Sequence, residues 1–226
     1  MHERLGDLHI LDVGCGSGGY GPRLLEWSGG HVSSYTGADL QGQAAWAALE
    51  RSDRRLRFVE ASAAHMAENI PAGTNVVMSQ STIEHIEGDL DVFRRIAAYA
   101  ARLERPSLQV HLCPSAACLG LYLFHGVRQY TPRTLSKISR LFERAEVTVY
   151  RLGGRECNRL HFEFITWPLL VQGRDLRETR AAEYERRRRE AIVADMTVPQ
   201  RSPAFYALVI EVEPARAERV HGRTST

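Results

Sequence analysis

Long apolar runs are missing from this 226-residue chain. A helical membrane span needs roughly 18 consecutive apolar residues. The longest candidate, about Ala116 to Val127, is interrupted by Gly120, His125 and Gly126, so no span is expected. Cysteine is scarce and scattered: Cys15, Cys113, Cys118 and Cys157 form no C-x-x-C pair, and no His/Cys cluster has zinc spacing. No metal site is therefore expected, and a chain long enough to bury its own core does not need a disulfide framework. The charged opening from Met1 to Asp7 runs straight into an apolar strand, unlike a signal peptide, so a cytoplasmic protein is expected. Lys137 is the only lysine, and the formal net charge of +2 lacks the broad basic excess of a nucleic-acid binder. Arg186 to Arg189 alternate with Glu183, Glu185 and Glu190, which reads as a solvated helix face. There is no internal repeat.

What is present is a rhythm of strand-length apolar runs and helix-length segments, the pattern of a mostly parallel sheet with helices on its faces. Strands are expected at Leu8–Val13, Ser34–Asp39, Leu56–Glu60, Asn75–Ser79, Leu108–Cys113, Val147–Leu152 and Phe205–Val212. Helices are expected at about Gly21–Trp27, Gln43–Ser52, Leu90–Leu103 and Thr134–Phe142, the last with Pro132 at a good starting position. About fifty residues separate the last two strands, too many for a simple loop. Within them Asp175–Asp195 is helical in composition, and the alternation of His161 and Glu163 with Phe162 and Phe164 reads as an extended segment beside a pocket. The expected architecture is a Rossmann-like α/β fold: seven strands, helices on both faces, one domain over 1–226 and a helical insertion at about 155–202. That insertion is a candidate lid or homodimer arm.

The strongest local signal is Ile10-Leu11-Asp12-Val13-Gly14-Cys15-Gly16-Ser17-Gly18-Gly19. A strand ends at Val13 and the chain turns sharply into a helix. Glycine there permits positive φ and close approach of backbone to a ligand, and the opening N–H groups of the helix suit an anion. Asp39 closes the second strand about twenty residues on, where a carboxylate can accept hydrogen bonds from both hydroxyls of a ribose. Gly14, Gly16 and Gly19 also satisfy G-x-G-x-x-G, so a nicotinamide enzyme fits this much of the pattern.

Asp12-Val13-Gly14-Cys15-Gly16-Ser17-Gly18, an acid two residues ahead of G-x-G-x-G, resembles motif I of the class I S-adenosylmethionine-dependent methyltransferases. Arg57 to Ala63 is similar to that family's third-strand motif, with Ser62 where the family usually has Asp. Asn75 to Ile86 resembles its fourth-strand region, including Ile83-Glu84-His85-Ile86. His125 to Pro132 resembles its His-x-Arg-x-aromatic-Ser/Thr stretch after strand five. The resemblance spans about residues 8–152 and implies S-adenosylmethionine as cofactor. Asp12, Gly14, Cys15, Gly16, Gly18, Asp39, Leu40, Ser62, Ala63, Ser79 and Gln80 are the implied contacts, with Asp12 near the methionine end and the Ser62 loop near the adenine.

Methyl transfer from a sulfonium needs in-line alignment and, for a hydroxyl acceptor, removal of a proton. His85, just past strand four, is the first candidate base because an imidazole titrates near neutrality. His125 is the second, and Tyr130 with Arg128 is placed to orient an acceptor or to anchor its loop. His111, inside strand five, reads as a core residue. Glu84, Glu87, Asp89 and Asp91 read as N-terminal charge on the following helix. The expected activity is O-methylation of a small polar acceptor such as a sugar or natural-product intermediate. N-methylation and a non-catalytic scaffold are the alternatives.

Overall fold

The computed structural model describes residues 2–121, 128–199 and 201–214. Its first half runs α1 (His2–Leu5), β1 (Leu8–Val13), α2 (Tyr20–Trp27), β2 (Val32–Asp39), α3 (Trp46–Ser52), β3 (Leu56–Glu60), α4 (Ala63–Glu68), β4 (Val76–Gln80), a 3-10 turn at Ile83–His85 and α5 (Asp89–Ala100). There follow β5 (Ser107–Pro114), a 3-10 segment at Ala116–Leu121, α6 (Pro132–Ser139) and β6 (Ala145–Leu152). Last come α7 (Arg155–His161), a π-helical turn at Phe162–Thr166, α8 (Trp167–Gln172), α9 (Leu176–Thr179), α10 (Ala181–Met196) and β7 (Phe205–Val212).

The strands form one sheet in the order β3-β2-β1-β4-β5-β7-β6. All neighbours pair in parallel except β7, which runs antiparallel between β5 and β6. Chain order reverses between β1 and β4, where Val13 lies opposite Ser79. In open α/β sheets that switch point leaves a crevice beyond the carboxyl ends of the strands. The crevice therefore opens at Gly14 and Gln80. The expected seven-stranded, mostly parallel sheet is found.

Alternate residues of β1 feed two cores. Leu11 and Val13 pack with Val92, Phe93 and Ile96 of α5 and with Leu135 and Ile138 of α6. Leu8 and Ile10 pack with Leu5 and with Leu25 of α2 on the opposite face. Burial on both faces explains the unbroken apolar run of the strand. Removing a side chain as enclosed as Phe93 costs about 3–5 kcal/mol.

The structure departs from the sequence reading in three places. Ala63–Glu68 is a helix, started by the Ser62 hydroxyl accepting the His65 N–H at 3.2 Å. The alternation at His161–Phe164 is not an extended segment: the chain is helical there, and Leu160 and Phe164, four residues apart, share a small core with Ala191 of α10. Asp175–Asp195 is two helices, parted at Arg180. The insertion is tied together by Asp195 of α10, whose carboxylate accepts the N–H groups of Gly154 (2.6 Å), Cys157 (2.9 Å) and Glu156 (3.1 Å) at the start of α7. Burial alone would raise this carboxyl, but those donors outweigh it and hold it below the usual range. The chain leaves the sheet at Leu152 and re-enters at Phe205, and these two residues are directly paired.

Candidate functional site

The glycine turn is fixed by backbone bonds to the neighbouring strand: the N–H groups of Gly14 and Cys15 both donate to Ala38 O, at 2.7 and 3.0 Å. Gly14 adopts φ +78°, and a Cβ there would lie 2.1 Å from the Thr82 side chain. Only glycine lets the two strand ends approach so closely. Gly16 also has positive φ (+54°), but its Cβ direction meets nothing within 4 Å. A cavity of about 400 Å³ opens there, walled by Asp12, Gly14, Cys15, Gly16, Ser17, Gly19, Tyr20, Arg23, Gln80 and Ser81.

Asp12 sits at the cavity's base and accepts the Tyr35 hydroxyl at 2.6 Å. Burial raises its carboxyl to about 6 against the lowering effect of Tyr35, with Asp39 adding repulsion. Burial also pushes the Cys15 thiol up to about 12, so it stays protonated and contributes packing and backbone. Asp39 closes β2 behind the turn: Oδ2 accepts the Gly16 N–H at 2.8 Å, while Oδ1 has only a long contact from the Gln41 N–H at 3.4 Å. Trp46 supports the same turn, donating from Nε1 to Gly16 O at 2.9 Å and stacking on Phe58. Leu40, 69% exposed, follows Asp39, and the Ala61 N–H donates to Asp39 O, which brings Ser62 and Ala63 to the same edge.

Beyond β4 the backbone is strained. Ser81 is one of two non-glycine residues with positive φ among the described residues, at +50°, a conformation that costs about 1–3 kcal/mol and gathers at functional sites. Gln80 and Ser81 also wall a second cavity of about 580 Å³ under the insertion. Its walls carry Leu112, Leu152, Leu160, Ile192, Met196 and Phe205 together with the polar side chains of Arg151, Asn158, His161, Tyr184, Arg188 and Asp195. His161 Nδ1 lies 3.0 Å from Thr166 Oγ1, and that hydroxyl donates to Leu121 O at 3.3 Å. The imidazole also interacts electrostatically with the Asp175 carboxylate.

Of the residues expected from sequence, Asp12, Gly14, Cys15, Gly16 and Gln80 line the first cavity, and Asp39, Leu40, Ser62 and Ala63 lie along its strand-end edge. Gly18 has a different place: its Cβ would meet the Phe58 ring at 2.3 Å, so it serves helix–sheet packing. Ser79 is buried and spends its hydroxyl on His111 Nδ1 at 2.8 Å. His85 is exposed and walls neither cavity. Tyr130 is fully buried, with its hydroxyl 2.6 Å from Asp89, which also pairs with Arg128 at 2.9 Å. That arrangement ties Tyr130 into the packing around Asp89. Asp89 is correspondingly more than helix charge. His125 lies outside the described residues. Sequence reasoning passed over Tyr20, Arg23 and Ser81, and gave His161 no chemical role. Arg23 and Tyr20 resemble any solvated helix residues until the helix is placed.

Residues 10–103 match a family described as a methyltransferase domain. No curated protein matches the chain. Among solved structures, the chain is similar to Haemonchus contortus phosphoethanolamine N-methyltransferase 2 in complex with S-adenosyl-L-methionine. The identity is 17%, 94% of this chain and 51% of that one are covered, and the TM-score is 0.60. It is also similar to StiE O-MT (16% identity, 94% and 69% covered, TM-score 0.55). A third likeness is to a mycolic acid cyclopropane synthase complexed with SAH and CTAB (15% identity, 92% and 80% covered, TM-score 0.57). The chain spans about half the length of the Haemonchus protein. These likenesses are of fold, and one fold hosts several reactions.

Proposed function

We propose that the chain, which carries a methyltransferase domain over residues 10–103, transfers a methyl group from S-adenosylmethionine to a hydroxyl of a small molecule with an apolar body. The observation that carries this reading is the junction at Gln80 and Ser81, which belong to the walls of both cavities. A donor in one and an acceptor in the other meet end to end at that junction.

The first cavity fits the donor. The open Cβ direction of Gly16 leaves room for a ligand against the turn, and Asp39 Oδ1 retains capacity for ribose hydroxyls. Asp12 offers a carboxylate to the cationic amino-acid end, with Leu40, Ser62 and Ala63 beside the adenine. When bound, S-adenosylmethionine supplies a methyl group already activated on a sulfonium. The chain's own task is alignment, and the Gln80–Ser81 bend sets the direction along which the cavities face each other. The imidazole of His161, which walls the second cavity, takes the acceptor's proton. The apolar walls suit the body of a phenol-like or other natural-product acceptor, while Arg151, Asn158, Tyr184 and Arg188 offer partners to its polar groups. The insertion at about 155–202 then acts as the lid of a single domain.

Calorimetric titration with S-adenosylmethionine, S-adenosylhomocysteine and NADH tests the reading. Micromolar binding of the two sulfur compounds is expected, weakened at least about tenfold by Asp39→Ala through loss of charge-assisted hydrogen bonds. Binding of NADH alone overturns it. A labelled-methyl screen should then favour hydroxylated aromatics over sugars.

A further inference from the structure

The run Arg186 to Arg189 reads in the sequence as one solvated helix face, and the structure parts its members. Arg186 pairs with Glu190 and Arg189 with Glu185 along exposed parts of α10. Arg187 turns to the π-helical turn, where it pairs with Glu163 and lies over the Phe164 ring. Arg188 alone of the run walls the cavity under the insertion. Helical periodicity puts it there: Tyr184, Arg188, Ile192, Asp195 and Met196 recur at helical spacing, and all stand in that wall.

The charge of the wall is lopsided. Arg151 and Arg188 stand in it with a single carboxylate among the described residues, Asp195. That carboxylate already accepts the N–H groups of Gly154, Glu156 and Cys157, so it is committed to the start of α7. Arg188 pairs with Glu185 at 2.8 Å, but the same carboxylate also holds Arg189 at 3.1 Å. Two guanidiniums thus share one exposed acid, and such pairs are weak enough to exchange readily. An incoming anion can take Arg188 while Glu185 keeps Arg189. Leu160 packs with Ala191 and Glu163 pairs with Arg187, so the helices run antiparallel and Arg188 lies within about one helical turn of the level of His161. A molecule held by Arg188 is therefore held beside the proposed base.

We propose that the acceptor is an anion, a phenol bearing a carboxylate or phosphate that Arg188 binds, an assignment that rests on the acceptor reading above and narrows it. Ile192 and Met196 on the same stripe pack the ring, and Arg151 adds positive charge to the wall.

Matched phenolic carboxylic acids, hydroxyphenyl phosphates and neutral methyl esters, titrated into the protein loaded with S-adenosylhomocysteine, isolate this contact. One anionic series should bind about tenfold or more tightly than the esters, and the tighter of the two identifies the group. In Arg188→Gln that series should fall to within about threefold of the esters, while affinity for S-adenosylhomocysteine stays within about twofold. Arg188→Lys should recover part of the difference, because a point charge replaces a planar fork. Glu185→Gln releases Arg188 from its competitor and should tighten the anions about twofold, an effect of opposite sign. Equal binding of anions and esters, or an equal loss of both in Arg188→Gln, overturns the assignment while leaving the acceptor cavity in place. Failure of every series to bind overturns the acceptor reading and this assignment with it.

Discussion

The glycine-turn cavity and the cavity under the insertion share Gln80 and Ser81 but are built from different materials. The first is shaped chiefly by backbone: a turn held to Ala38 O, glycines where a Cβ has no room or would fill the cavity, and one carboxylate braced by the Gly16 N–H. The second is shaped by side chains that converge from β5, β6, α7, α10 and β7, with the Asp195 cap in its own wall. Backbone construction suits a ligand that never changes. A side-chain wall can be altered residue by residue, which suits the variable partner of a reaction. On the proposed reading, the difference teaches where specificity for each substrate is stored.

The sharpest way to break the comparison is at its backbone side. Gly14→Val forces a side chain into Thr82 at a left-handed φ, and should cost about 3 kcal/mol or more. Thermal melting and calorimetry should show a destabilised protein with no measurable S-adenosylhomocysteine binding. Asp195→Ala attacks the other side. It leaves three N–H groups at the start of α7 without their acceptor, an expected loss of about 2–3 kcal/mol. Amide exchange should accelerate at Gly154, Glu156 and Cys157, while affinity for S-adenosylhomocysteine stays within about twofold. Loss of that affinity in Asp195→Ala would mean the two sides are not separable.

Protonation separates the sides further. Burial raises the Asp12 carboxyl to about 6, and on the proposed reading its ionised form receives the ammonium of the cofactor. Affinity for S-adenosylmethionine should therefore fall as pH drops below 6, by up to about tenfold per unit. Asp12→Asn should bind more weakly at pH 8 and show a flat profile, whereas Asp195→Ala should keep the slope. The smallest effect is expected at Glu84, beyond β4, whose buried Oε2 has no hydrogen-bond partner. Burial raises its carboxyl from 4.5 to about 7. The folded state holds that proton more tightly than the unfolded chain, so the penalty is full above pH 7 and fades toward pH 4.5. Glu84→Gln should raise the melting temperature by about 3 °C at pH 8, for about 1 kcal/mol, and by less at pH 5.

The same contrast governs what could be read from residues alone. The strands, the glycine turn and Asp39 announce themselves because their causes are local: apolar runs, a strand-to-helix turn, an acid at a strand end. Only long-range packing reveals that Gly18 makes room for Phe58 or that Tyr130 is buried on Asp89. The Phe162–Phe164 alternation misleads because Leu160 and Phe164 answer to α10, a helix some thirty residues further on. His85 carries the right chemistry and a resemblance to the family motif, yet it is not among the residues that wall the two cavities. Arg23 is the opposite case, an ordinary surface residue in the sequence that the helix's placement turns toward the crevice.

The pairing of Leu152 with Phe205 has a consequence for how such a protein can change. The insertion departs and returns at adjacent rungs of one antiparallel ladder, so its length is invisible to the sheet. A two-residue hairpin turn, the natural connection for such a ladder, could replace the whole excursion, and a foreign excursion could be spliced into the same gap. The gap is thus a socket, and a grafted loop seated in it inherits a position facing Gln80 and Ser81 without any redesign of the strands beneath.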